Sequence, residues 1–356
     1  MLKLIPCALL LAALSAHADP PRITPITEPA GDEAIPLKGS PGKLRVMARC
    51  VSSIALSPDG RKLAVGLKDG GGGATGEESA KFVAVLLWDL TAAKVVSTIP
   101  VDGVPSDVFW LADGTLWVTE AMNATIRRLD VEKGVVAESR KLRVDPTKLS
   151  MNFDSRVRIS PDGKFAVVAG FDPAPALYEL PGWKLVGPLE GAGGISPVEG
   201  TWSRDSKSWI TASRRPEMVT RWDISKREAQ RLGAGFAPVE GPDGRVWALT
   251  EDHLAFGPVE PKQDEKRDWF RNSDSKLTLA RYSPDGVFLA LGREDGKVVI
   301  VDVASASKFT SFLHAGVPDK SGAVICLLWA PDSSWVAAGR IDGSSDLLRP
   351  EVPAGK

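Results

Sequence analysis

Short apolar runs recur along the chain on both sides of polar turns, and they set the reading of everything else. Before a turn come Ser53-Ile54-Ala55-Leu56, Val108-Phe109-Trp110, Val157-Arg158-Ile159 and Cys326-Leu327-Leu328-Trp329. After it come Leu63-Ala64-Val65-Gly66, Leu116-Trp117-Val118-Thr119, Phe165-Ala166-Val167-Val168 and Val336-Ala337-Ala338-Gly339. Runs of this length, rich in β-branched and aromatic residues and bounded by turn formers, predict strands. The turn between them repeats as Ser57-Pro58-Asp59-Gly60, Ser160-Pro161-Asp162-Gly163 and Ser283-Pro284-Asp285-Gly286. Looser copies stand at Leu111–Gly114, Ser203–Ser206, Gly241–Gly244 and Ala330–Ser333. Proline presets φ, aspartate caps the backbone, and glycine accepts the positive φ that closes the hairpin.

The turn aspartates are 59, 113, 162, 205, 243, 285 and 332, with successive gaps of 54, 49, 43, 38, 42 and 47. A third strand follows, and in five of the seven units it ends on a large apolar residue and an acid: Trp88-Asp89, Leu129-Asp130, Tyr178-Glu179, Trp222-Asp223 and Val301-Asp302. Strands repeating with a period of roughly 40–50 residues predict blades of a propeller. The fold expected is therefore all-β: a β-propeller with seven blades of four-stranded antiparallel sheet.

With its turn motif, Trp-Asp strand ends and period, the sequence resembles the WD-repeat family from about Lys43 to the C-terminus. That resemblance implies propeller architecture and, commonly, protein binding through the loops of a rigid ring; fold alone does not assign a function. The family's Gly-His pair ahead of each inner strand is missing, since His253 and His314 are the histidines left after the first eighteen residues. Blade 5 also departs, with Leu254-Ala255-Phe256-Gly257 where the Trp-Asp ending belongs. Six blades is the alternative if that unit has merged with its neighbours.

The N-terminus reads differently. Lys3, the apolar run Leu4 to Leu14 and Ala16-His17-Ala18 form a secretory signal with cleavage after Ala18. Export to the periplasm or the extracellular space is expected. Residues 19–42 carry six prolines, at 20, 21, 25, 29, 36 and 41, and read as a leader or linker. The propeller domain is expected over 43–356. The seventh unit shows sequence for three strands, so Leu44-Arg45-Val46-Met47-Ala48 is expected to become its outer strand and close the ring, which would otherwise expose a sheet edge.

Composition narrows the function. Among 356 residues, 43% are hydrophobic and 25% charged, with a formal net charge of -1. No nucleic acid partner and no membrane insertion are expected from a balanced charge and the lack of a long apolar span. Eleven tryptophans against two tyrosines fall mostly in strands, where wide rings suit the gaps between blades. The stretch Asp69 to Glu78 is glycine-rich but has Glu77 where a phosphate loop carries lysine, so it reads as a loop between strands.

Candidate sites lie in two places. Asp107, Arg156, Arg158, Glu199 and Arg281 fall on inner strands, where they either hold a ligand at the channel or form salt bridges between blades. The turns joining second to third strands would present Glu120, Asn123, Asp172, Arg214, Arg215, Glu217, Asp252, Arg293 and Asp342, a mixed-charge contact face. Cys50 and Cys326 could bridge at the ring closure, or remain two buried thiols. No spacing of metal ligands, no Gly-x-Ser-x-Gly nucleophile and no cofactor motif is present. The chain is therefore read as an exported, monomeric scaffold that binds another protein. The alternative is a channel-mouth enzyme of the lactonase or quinoprotein type.

Overall fold

A computed structural model describes residues 49–69, 84–92, 94–120, 125–142, 156–169, 175–189, 199–214, 217–250, 252–263, 269–271, 275–303, 307–312, 322–341 and 345–348. They form seven antiparallel sheets, each a meander whose strands pair in chain order. Six sheets have four strands; the seventh has three described strands, Val324–Trp329, Val336–Arg340 and Ser345–Leu348. The first strands of the blades are Arg49–Leu56, Pro105–Trp110, Arg156–Ile159, Glu199–Trp202, Phe236–Glu240, Leu277–Tyr282 and Val324–Trp329. All seven line one central cavity of about 1070 Å³, so they face the axis of a ring.

The core sits between blades. Phe109 and Trp117 of blade 2 pack on Val157, Ala166, Tyr178 and Trp183 of blade 3. Trp183 places its ring 5.8 Å from Phe109, 5.7 Å from Trp117 and 6.1 Å from Tyr178. Tryptophan suits this wedge because a wide flat ring reaches both sheets. Last and first blades meet the same way. A Cβ at Gly339 in blade 7 would lie 2.5 Å from Cys326 Sγ and 2.7 Å from Val51 Cγ1 of blade 1, so only glycine permits that approach.

Blade 5 is intact, which removes the six-blade alternative: its strands are Phe236–Glu240, Val246–Leu249, Ala255–Pro258 and Phe270–Arg271. Phe256 takes over the tryptophan's packing, fully buried and stacked 5.9 Å from Trp247. The signal peptide, the leader, the expected closing strand 44–48, most of the glycine-rich loop, Asn123, Asp172, Arg215, His314 and Asp342 lie outside the described residues.

Candidate functional site

The ring has two faces. One carries the turns from first to second and from third to fourth strands; the opposite face carries the second-to-third turns. On the first face every motif aspartate does the same work. Asp59, Asp113, Asp162, Asp205, Asp243, Asp285 and Asp332 each accept the backbone N–H two residues on, at 2.9–3.1 Å. In four copies a serine completes the lock. Ser57, Ser160, Ser203 and Ser283 donate Oγ–H to the aspartate at 2.5–2.7 Å. The same hydroxyls accept the N–H five residues on at 2.8–2.9 Å. The serine hydroxyl beside each holds the carboxyls of Asp59, Asp162 and Asp205 below the ordinary range. The third-strand acids cap the next turn: Asp89 accepts Thr91 and Ala92 N–H at 2.8 Å, and Asp223 accepts Ser225 and Lys226 N–H at 2.9 and 3.0 Å.

Two turns put serine where the motif has glycine. Ser206 and Ser333 hold φ of 63° and 62°, in the left-handed region. Each hydroxyl accepts the N–H of the preceding blade's turn aspartate, Asp162 at 3.0 Å and Asp285 at 3.1 Å. The departure from the motif thus ties blade 4 to blade 3 and blade 7 to blade 6.

Inside the channel the predicted charges link neighbouring blades. Asp107 is buried; its Oδ2 accepts the Val157 N–H at 3.1 Å and pairs with Arg158 of blade 3. Arg156 donates Nη1–H to the carbonyls of Ser52 and Ser106 at 3.1 and 3.2 Å, which ties blades 1, 2 and 3 together. Ser53 Oγ accepts the Val108 N–H at 2.6 Å, the same relation one blade earlier. Tryptophans continue the pattern: Trp202 Nε1 donates to Arg158 O at 2.8 Å and Trp329 Nε1 to Arg281 O at 3.0 Å. Arg281 also donates Nη1–H to Ala280 O at 2.8 Å. Glu199 opens the blade 4 inner strand opposite Ala212, and Arg214 ends the next strand opposite Glu217. The side chains of Glu199 and Arg214 lie outside the described set.

At the opposite mouth Glu217, His253 and Glu294 line the cavity from blades 4, 5 and 6. His253 stacks on Phe236 with ring centroids 4.5 Å apart. Among the described residues neither Glu217 nor Glu294 forms an ion pair. Asp252 is a turn cap: it accepts Thr250 Oγ1–H at 2.6 Å and Leu254 N–H at 3.0 Å, and pairs with Arg271 at 2.8 Å. Those bonds, the threonine hydroxyl first, pull its carboxyl down to about 2.

Two residues expected on the contact face are instead buried. Glu120 pairs with Arg127 and accepts the Gly103 N–H at 3.2 Å. Arg293 bonds Asp295 through Nε at 3.0 Å and Nη2 at 2.5 Å. Glu120 meets partners seven and seventeen residues away, whereas Arg293 meets one two residues on, in its own turn. A third link escaped the sequence reading: Glu240 of blade 5 accepts Arg204 N–H at 2.6 Å and Arg221 Nη2–H at 3.1 Å from blade 4. Cys326 stands on the blade 7 inner strand close to Val51, as Gly339 shows. The bridge to Cys50, which the sequence left open beside two separate thiols, falls outside the described side chains. Among the described residues no three His, Cys, Asp or Glu side chains converge as a metal site, and no helix is long and apolar enough to cross a membrane.

Comparison with known proteins agrees with this geometry. A family model, the WD domain, G-beta repeat, matches residues 312–345, which include the first two strands of blade 7. The chain is similar to the Periodic tryptophan protein 2 homolog of Caenorhabditis elegans, 29% identical over 28% of this chain and 11% of that protein. It is also similar to Actin-interacting protein 1 of Drosophila melanogaster, 30% identical over 37% of this chain and 17% of that protein. Together with the seven-sheet ring, these matches support a WD-repeat β-propeller. The aligned stretches span less than a fifth of either relative.

Proposed function

We propose that this propeller is an exported, monomeric scaffold that binds another protein across the channel mouth formed by the second-to-third strand turns. The observation that carries this reading is the use of the inner-strand charges. Asp107 and Arg158 are spent on each other, and Arg156 on two backbone carbonyls. Groups fixed in that way stiffen a ring and leave little for proton transfer or substrate binding in the lumen. Glu217 and Glu294, which form no ion pair among the described residues, stand at the mouth, where a partner would meet them. The relatives' names are in keeping with assembly: one is called an actin-interacting protein.

The proposal includes the N-terminus. The signal peptide ends at Ala18, residues 19–42 are a tether, and residues 44–48 supply the outer strand of blade 7. Affinity capture with the full chain from an exported fraction tests the reading. A protein recovered in stoichiometric amount supports it; turnover of a small molecule by the purified chain, with no protein partner, contradicts it.

A further inference from the structure

Fixing a guanidinium is not the same as neutralising it. Arg156 opens the inner strand of blade 3, is half-buried and lines the central cavity. Its bonds to the Ser52 and Ser106 carbonyls use one nitrogen, Nη1. Both acceptors are neutral, and the residue across the sheet from Arg156 is Ala169. Among the described residues no carboxylate pairs with Arg156. Asp107, which follows Ser106 in blade 2, is engaged by Arg158 and the Val157 N–H. The strand Arg156–Ile159 thus lines the lumen with two guanidinium groups against one carboxylate.

Position decides which other charges count. Glu217 and Glu294 line the same cavity, but they stand at the second-to-third strand turns of its mouth, and Glu294 is exposed. Water and salt screen charges there far more than charges inside the ring. Arg281 lines the cavity from blade 6 with its Nη1 on the Ala280 carbonyl. Among the described residues the interior of the lumen is therefore positive. A charge held partly out of water gains from a counter-ion.

The rest of the wall defines the other half of a ligand. Blades 6 and 7 stand across the ring from blade 3 and present Leu279, Ile325 and Leu328 to the cavity, and Ile54 joins them from blade 1. A volume of about 1070 Å³ has room for a small organic molecule. We propose that the lumen binds a small monocarboxylate, whose carboxylate meets Arg156 and whose aliphatic or aromatic body lies on the wall of blades 6 and 7. With Nη1 held by the carbonyls, the Nε–Nη2 edge of Arg156 supplies the paired donors that suit a carboxylate. One unpaired guanidinium matches one negative charge, which disfavours a polyphosphate. The site holds its ligand without transforming it, since an arginine has no proton to exchange at neutral pH.

The site lies inside the ring and needs no partner protein, so its test is separate from capture at the mouth. Octanoate is titrated into the full chain and followed by calorimetry and by tryptophan fluorescence, to which the lining residues Trp110 and Trp329 contribute. Octanol keeps the body without the charge, and acetate keeps the charge without the body. Octanoate should bind saturably and at least about tenfold more tightly than either. Arg156→Gln, whose amide can still donate to the carbonyls, should weaken octanoate at least about tenfold, and Arg156→Lys should retain most of the affinity. Should Arg156→Gln melt below the parent, Ile325→Asp, which sets a carboxylate on the opposing wall, decides by the same loss. No saturable binding of octanoate, equal binding of octanol, or unchanged affinity in Arg156→Gln or Ile325→Asp overturns the proposal. Any of these results leaves the scaffold reading standing if a protein is still captured at the mouth.

Discussion

Ser206 Oγ of blade 4 accepts the backbone N–H of Asp162 in blade 3 at 3.0 Å, while its own backbone sits in a conformation suited to glycine. The strain and the bond oppose each other, and two substitutions separate them. Ser206→Ala keeps the strain and orphans a part-buried donor, so it should cost about 1–3 kcal/mol in denaturant unfolding. Ser206→Gly loses the same bond but relieves the positive φ, so it should cost less than Ser206→Ala. If the alanine variant is as stable as the parent, the link between turns contributes nothing.

The Trp-Asp strand ends carry inter-blade packing. Trp222 is 1% and Trp88 7% accessible, and each belongs to a buried cluster. Trp222→Ala and Trp88→Ala should each cost about 3–5 kcal/mol. Chemical denaturation of the two variants measures this, and a loss near zero at either would place that ring outside the core.

Asp107 is a structural hub of the channel. Asp107→Ala leaves the Val157 N–H without its acceptor and the Arg158 guanidinium with the Val157 carbonyl but no carboxylate, and should cost about 1.5–3 kcal/mol. Because the group links blades 2 and 3, amide exchange should rise along Arg156–Ile159 before it rises in blades 5 and 6. Uniform exchange around the ring would argue against that local role.

Acid should loosen the turns. The carboxyls of Asp59, Asp162 and Asp205 titrate below their ordinary values in the folded chain because serine hydroxyls donate to them, and Asp252 titrates near 2. A depressed folded value means that their stabilisation is complete above the unfolded value of about 3.9 and is lost as pH falls through the folded one. Melting temperature should therefore hold down to about pH 4 and then decline. Replacing Ser57, Ser160 and Ser203 with alanine should lower the melting temperature at neutral pH and flatten the acid decline. An unchanged acid slope would show that other groups govern it.

The proposed closure of the ring by residues 44–48 predicts a contrast between two truncations. Removing residues through Gly42 should leave stability unchanged, because the leader has no apolar pattern. Removing them through Ala48 should lower the melting temperature and cause aggregation, because the edge strand Ser345–Leu348 would then be open to other chains. Thermal melts and size-exclusion profiles compare the two. Equal behaviour would place the closing strand elsewhere.

What the sequence made legible follows from how local each signal is. The seven aspartate turns could be read because their bonds span two to five residues, and the Trp-Asp ends because the aspartate caps a turn beside it. The lumen position of Asp107, Arg156, Arg158 and Arg281 followed from strand order. Their partners did not, since Arg156 reaches Ser52 across more than a hundred residues. Glu120 was placed outside because a charge looks exposed until its neighbour in space is known; Arg293's partner, Asp295, stands two residues on in the same turn and was open to reading. Ser206 and Ser333 carried a readable signal, a serine at the glycine position of the turn, whose meaning depends on the adjacent blade.

The central claim is that Glu217 and Glu294 at the channel mouth receive a protein partner. The direct measurement is quantitative capture from the exported fraction by the full chain and by a Glu217→Arg/Glu294→Arg variant, with melts run in parallel. The account predicts one protein held stoichiometrically by the parent and at least about tenfold more weakly by a variant that melts like it. Equal recovery by both, or no protein recovered by either while the purified chain turns over a small substrate, would contradict it.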